Sequence, residues 1–134
     1  MKYLFLFGIT AVIFFAIDML WLGVIAKNFY REKLSFIFTG LENWQAALIF
    51  YFIYIFGILY FAVLPGFEHH QWKTVLFNGA FLGFLCYATY DLTNMATIKQ
   101  WPLSIVVVDI IWGTILTGSV AIASYFSAIK LLNL

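Results

Sequence analysis

Charge is what this sequence has least of. Among 134 residues there are seven Lys or Arg and six Asp or Glu, so 10% are charged, against about a quarter in an ordinary soluble domain. A net charge of +1 supplies no basic field for a polyanion, which removes nucleic acid from the expected partners. The single cysteine, Cys86, excludes an internal disulfide and every paired-cysteine motif; within an apolar run it reads as a small packing residue. Glycine-rich phosphate cradles, zinc-protease spacing and nucleophile elbows are absent too. What is present is apolar: 65% hydrophobic and 22% aromatic residues, with a mean hydropathy of +1.00. A chain this short cannot cover such a core with polar surface, so its solvent is a bilayer.

Four segments are long and apolar enough to cross a membrane: residues 3–26, 44–64, 73–92 and 103–129. The first is too long for a signal core and lacks a small-residue cleavage pattern, so it is expected to be a retained span. Asn43 is a suitable N-cap for the second span, Pro65-Gly66 its expected terminator, and Pro102 suits the first turn of the fourth. The second and third connections are short, which predicts antiparallel neighbours. In the longer first connection Tyr30, Leu34, Ile37, Phe38 and Leu41 recur at helical spacing opposite Arg31, Glu32, Ser35 and Glu42. That pattern fits a short helix lying in the interface, with an irregular loop as the alternative. The expected fold class is therefore all-α, a single-domain integral membrane up-down four-helix bundle over residues 1–134.

Trp44, Trp72 and Trp101 fall at span boundaries, where an aromatic belt accounts for them. The basic residues divide between Lys2, Lys73 and Lys130 on the side of the termini and Lys27, Arg31, Lys33 and Lys99 on the other. The cluster after span one leans its side toward the cytoplasm and the termini outward.

Half of the six acidic residues lie inside spans: Asp18, Asp91 and Asp109. An intramembrane carboxylate is expensive, and by default it marks function. Because the spans alternate in direction, all three sit in the leaflet of connections one and three. Trp21 and Trp112 follow Asp18 and Asp109 at i+3, while Tyr87 and Asn94 flank Asp91 at i−4 and i+3; each pair shares a helix face. Trp112 is too deep for a belt, and a buried indole N–H needs an acceptor such as a carboxylate. Two charges about 6 Å apart at an effective dielectric near 20 repel by roughly 2.8 kcal/mol. With no basic residue in any span core, the cluster must share protons, take up a cation, or reach Lys27, Arg31 or Lys99 at the rim. No metal-ligand spacing is present, so no metal is assigned and the cofactor is left unknown. The structural alternative is that the three Asp simply hydrogen-bond helices together.

Other features are weaker. His69-His70 read as a solvated turn, since adjacent residues face different ways. Gly79 and Gly83, with Gly113, Thr117, Ala121, Ser124 and Ala128, form small-residue stripes suited to closing the bundle or, alternatively, to a homodimer seam. The aromatics of span two are lipid-facing or core residues, although Tyr51 and Tyr54 lie toward the Asp side.

Asp18 running into Trp21-Leu22-Gly23, Phe29-Tyr30, the stretch Tyr90-Asp91-Leu92-Thr93-Asn94, Trp101-Pro102, and Asp109 with Trp112-Gly113 together resemble a family of small bacterial four-span membrane proteins known as a domain of unknown function. The resemblance covers essentially the whole chain and implies a fold in the bacterial inner membrane, but no reaction. From the residues themselves, the expected function is a site for a membrane lipid or other amphiphile. In it Asp18, Asp91 and Asp109 do acid/base work and Trp21, Tyr87, Asn94 and Trp112 form the walls. A proton- or cation-coupled transporter, which would need a homodimer, and an accessory subunit of a membrane complex are the alternatives.

Overall fold

The computed structural model describes residues 1–38 and 42–134. Four helices are long and apolar enough to span a membrane: α1 (Lys2–Ile25), α3 (Trp44–His69), α4 (Trp72–Thr97) and α5 (Leu103–Leu132). A single helical turn, α2 (Phe29–Lys33), stands between the first two. No strand occurs among the described residues. The helices run up and down in ring order, with α5 closing back on α1 and packed most extensively against α4. Their outer faces, including Leu48, Phe52, Phe56, Phe77, Ile111 and Ile115, are bare hydrocarbon and aromatic surface. In a bilayer such faces meet lipid at no cost.

Small residues set the tightest contact. Gly79 and Gly83 of α4 face Gly113, Thr117, Gly118 and Ala121 of α5. A methyl group on Gly79 would lie 2.8 Å from the Ala121 Cβ, and one on Gly83 would strike the Gly113 carbonyl. Both stripes are thus used within one chain, to let two backbones approach. The core fills the half of the bundle near the termini with Leu6, Phe14, Ile55, Ile58, Val63, Val75, Leu116 and Val120. Within it, Tyr54 and Thr117 satisfy each other's hydroxyls at 2.6 Å.

Several boundaries differ from the sequence expectation. Pro65-Gly66 does not end the second span; the helix continues to His69. Proline cannot bond the carbonyl four residues back, that of Phe61, and its ring crowds the preceding turn. The helix responds with a wide π-turn at Leu59–Val63, and the Asn78 side-chain amide of α4 donates to the Phe61 carbonyl at 3.0 Å. The stop comes at His70, which adopts the left-handed conformation (φ 51°, ψ 41°) and so has a defined backbone role within the turn. The third span also runs past 92 to Thr97. Asn43 does cap the second span, accepting from the Ala46 N–H at 3.1 Å, whereas Pro102 stands just before the fourth helix as its cap. The amphipathic stretch of the first connection is helical only over Phe29–Lys33, then turns through Ile37; Leu41 lies outside the described residues.

Candidate functional site

The longer helices bring the three carboxylates to one depth. Asp18 lies seven residues before Ile25, Asp91 six before Thr97 and Asp109 six after Leu103, each roughly 9–11 Å from its helix end. The sequence had put Asp91 at the end of its span; the extra turns of α4 carry it inward. All three line one cavity of about 290 Å³ at the end of the bundle that carries connections one and three.

The hydrogen bonds cross between helices. Trp112 of α5 donates its indole N–H to Asp18 Oδ1 of α1 at 3.4 Å, and the Tyr51 hydroxyl of α3 donates to Asp18 Oδ2 at 3.2 Å. Trp21 of α1 donates to the Tyr30 hydroxyl at 3.1 Å, and Tyr30 in turn donates to Asp109 Oδ1 at 2.9 Å. The two indoles stack, with centroids 4.4 Å apart and planes 9° from parallel. Each tryptophan therefore serves the carboxylate of the other helix, Trp112 directly and Trp21 through Tyr30. The sequence echo between Asp18-x-x-Trp21 and Asp109-x-x-Trp112 corresponds to this exchange. A π-turn begins at Trp21, widening α1 where the ring leaves the helix. Burial, and then the nearby Asp109 charge, push the Tyr30 hydroxyl well above the usual phenol range, so it remains a donor at neutral pH.

Asp91 is different. Its side chain is fully buried, in hydrogen-bonding contact with the Asp109 carboxyl and the Trp101 indole. The Trp101 N–H is buried with it. None of the hydrogen bonds reaching the three carboxylates comes from a basic side chain, and Lys27, Arg31 and Lys99 are exposed. Among the described residues, no three of His, Cys, Asp and Glu are placed to hold a metal ion.

The cavity collects Asp18, Trp21, Tyr87, Asp91, Asp109 and Trp112. Asn94 is half-buried one turn beyond Asp91 and does not line it. Tyr30, Phe50, Tyr90 and Trp101 also line it and lie outside the set singled out in the sequence. Tyr30 had been placed on the apolar face of the connecting helix, and its pairing partner is distant in the chain. Tyr90 lies one residue before Asp91, and Phe50 stands one turn before Tyr54. Trp101 is not the belt residue that its boundary position predicts: it is buried against Leu34, Ile105 and Val106, with Tyr90 edge-on at 6.0 Å. Trp44 and Trp72 are exposed at their helix starts, as a belt requires.

Residues 3–126 match the model of a family described as "Predicted membrane protein (DUF2177)". The chain belongs to that family. The match reaches into all four spans and takes in every residue that lines the cavity. No curated protein and no solved structure matches the chain.

Proposed function

We propose that the protein binds a membrane lipid or similar amphiphile in one leaflet and performs acid/base chemistry on its head. The observation that carries this reading is the pair Asp91 and Asp109: a fully buried carboxyl set against a second one, in a cavity that also holds Asp18. Two adjacent buried carboxylates cannot both stay charged without compensation, and a shared proton or a bound head group supplies it. Asp91 beside Asp109 forms a pair between which one proton can be shared and passed to or from a bound head. Asp18, held from two sides by Trp112 and Tyr51, supplies a fixed charge, and Trp21, Tyr87 and Trp112 supply the walls.

A one-sided site is supported over a translocation path by the packing of the other half. There Leu6, Phe14, Ile58, Val63 and Val120 close the bundle with fully buried apolar side chains. The basic residues Lys27, Arg31, Lys33 and Lys99 lie at the cavity end, against Lys2, Lys73 and Lys130 at the other; this small excess supports a reading with the cavity end at the cytoplasmic face of a bacterial inner membrane and both termini outside. Extraction in native lipid discs, followed by mass spectrometry of the retained lipid, tests the binding. One lipid class is expected to be enriched over the bulk membrane and lost in Asp91→Asn. Lipid identical to bulk in the parent and in Asp18→Asn, Asp91→Asn and Asp109→Asn overturns the reading.

A further inference from the structure

The way α3 leaves the bundle sets how a ligand reaches the site. From Leu59 onward the backbone of α3 packs closely on α4, whereas that of Trp44–Ile58 stands off it. No residue from Trp44 to Phe50 is buried. An apolar groove of about 320 Å³ lies between the two helices at the cavity end. Phe50 and Tyr54 form one wall, Cys86, Tyr87 and Tyr90 the other, and Asp109 of α5 lies between them.

Contacts deeper in the bundle hold the groove open. The Tyr54 hydroxyl is tied to Thr117 of α5 at 2.6 Å, and Phe50 stacks on the Tyr54 ring with centroids 5.4 Å apart. The Tyr87 ring rests on Gly113, where a Cβ would stand 2.1 Å from it, so the ring sinks toward α5 instead of filling the gap. A largely preformed cleft of this kind suits a small ligand. Where it opens to the hydrocarbon phase, hydrocarbon fills it, because water there would leave its hydrogen bonds unmade.

Continuity and depth favour a lipid chain over a helix of another protein. The groove shares Phe50, Tyr87, Tyr90 and Asp109 with the polar cavity, so its occupant is apolar at one end and polar at the other. A partner helix would carry apolar side chains along the whole groove, the Asp109 end included. Phe50, Tyr90 and Asp109 lie six or seven residues from their helix ends, roughly 9–11 Å in. Tyr54 and Cys86 lie ten or eleven residues in, roughly 15–17 Å, near the middle of a hydrocarbon core about 30 Å thick. The polar end thus points to the membrane surface and the apolar end to the midplane, as in a lipid of that leaflet.

We infer that the gap between α3 and α4 is a lateral entrance to the site. One hydrocarbon chain of a bilayer lipid enters there from the leaflet and lies against Tyr54, Cys86 and Tyr87. This rests on the lipid-site reading and deepens it by fixing the side of entry and the place of the chain. Cys86 lines the groove but not the polar cavity, so bulk added there blocks the chain and leaves the carboxylates untouched.

The test uses the full chain in membranes of cells fed a palmitic acid analogue with a mid-chain diazirine, so that every class of acyl lipid carries the probe. Irradiation and peptide mass spectrometry then map where chains lie. Adducts are expected on Tyr87 and on Tyr54, which at 6% exposure is out of reach of lipid on the outer surface. The outward Phe81 and Phe84 of α4 report that surrounding lipid. Cys86→Phe is expected to lower the Tyr54 and Tyr87 adducts roughly tenfold or more and to spare those on Phe81 and Phe84, while Cys86→Ala keeps the parent pattern. Adducts confined to outward residues of the parent overturn the inference, a result that does not depend on Cys86→Phe folding. Groove adducts that Cys86→Phe leaves unchanged overturn it too. So does a Cys86–Cys86 disulfide dimer on mild oxidation, which sets a second copy over the groove. An enriched retained lipid without groove adducts removes the entrance and keeps the lipid site; groove adducts with retained lipid identical to bulk do the reverse.

Discussion

At the scale of residues, scarcity of charge concentrates the chemistry. Tyr30 is the one side chain that joins Trp21 to Asp109. Tyr30→Phe leaves both without that partner, and a loss of about 1–3 kcal/mol is expected, read as a lower denaturation midpoint in detergent. Tyr60→Phe, at an exposed tyrosine, should leave the midpoint unchanged. The Trp112–Asp18 bond is longer, at 3.4 Å. A double-mutant cycle with Trp112→Phe and Asp18→Asn should therefore return a coupling of about 0.5–1 kcal/mol; zero coupling would mean that the two side chains do not interact. The intramembrane carboxylates were legible from sequence because an Asp inside an apolar run stands out by its cost. Tyr30 and Trp101 were not, because a tyrosine in a connection and a tryptophan at a boundary each have an ordinary interfacial explanation. Only tertiary packing shows that both are turned inward.

At the scale of elements, the four spans followed directly from apolar run length, and Asn43 from its capping chemistry. The ends of spans two and three did not: the second depends on a group of the next helix, and the third continues through the polar residues Thr93 to Thr97, which hydropathy leaves out. A proline is a sound stop signal when nothing else can bond the carbonyl it abandons; here Asn78 does so from the next helix. Asn78→Leu is expected to destabilise the parent by about 1 kcal/mol and to have a smaller effect in a Pro65→Ala background, where the backbone N–H is restored. Equal effects in both backgrounds would separate Asn78 from the proline. The α4–α5 seam allows a second comparison. Gly113→Ala drives a methyl group into the Tyr87 ring and Gly83→Ala drives one into backbone, so each should cost about 1–3 kcal/mol. Gly57→Ala, with open space around it, should be neutral or stabilising by up to about 1 kcal/mol in helix propensity. Gly113→Ala should disturb the cavity as well, because Tyr87 is both the seam contact and a cavity wall.

At the scale of the whole molecule, the bundle divides into two halves with different solvents inside. The half near the termini is closed by a packed apolar core. The half near connections one and three splays enough to hold the polar cavity and its apolar groove. That division was legible in the sequence only as three Asp in one leaflet; the groove between α3 and α4 depends on how the spans lean, which hydropathy does not encode. The measurement that bears most directly on the central claim is an experimental structure determined from native membranes. Non-protein density is expected in the cavity beside Asp18, Asp91 and Asp109, continuing as a chain past Tyr87 and Phe50. A cavity with no molecule beside Asp18, Asp91 and Asp109 would contradict it.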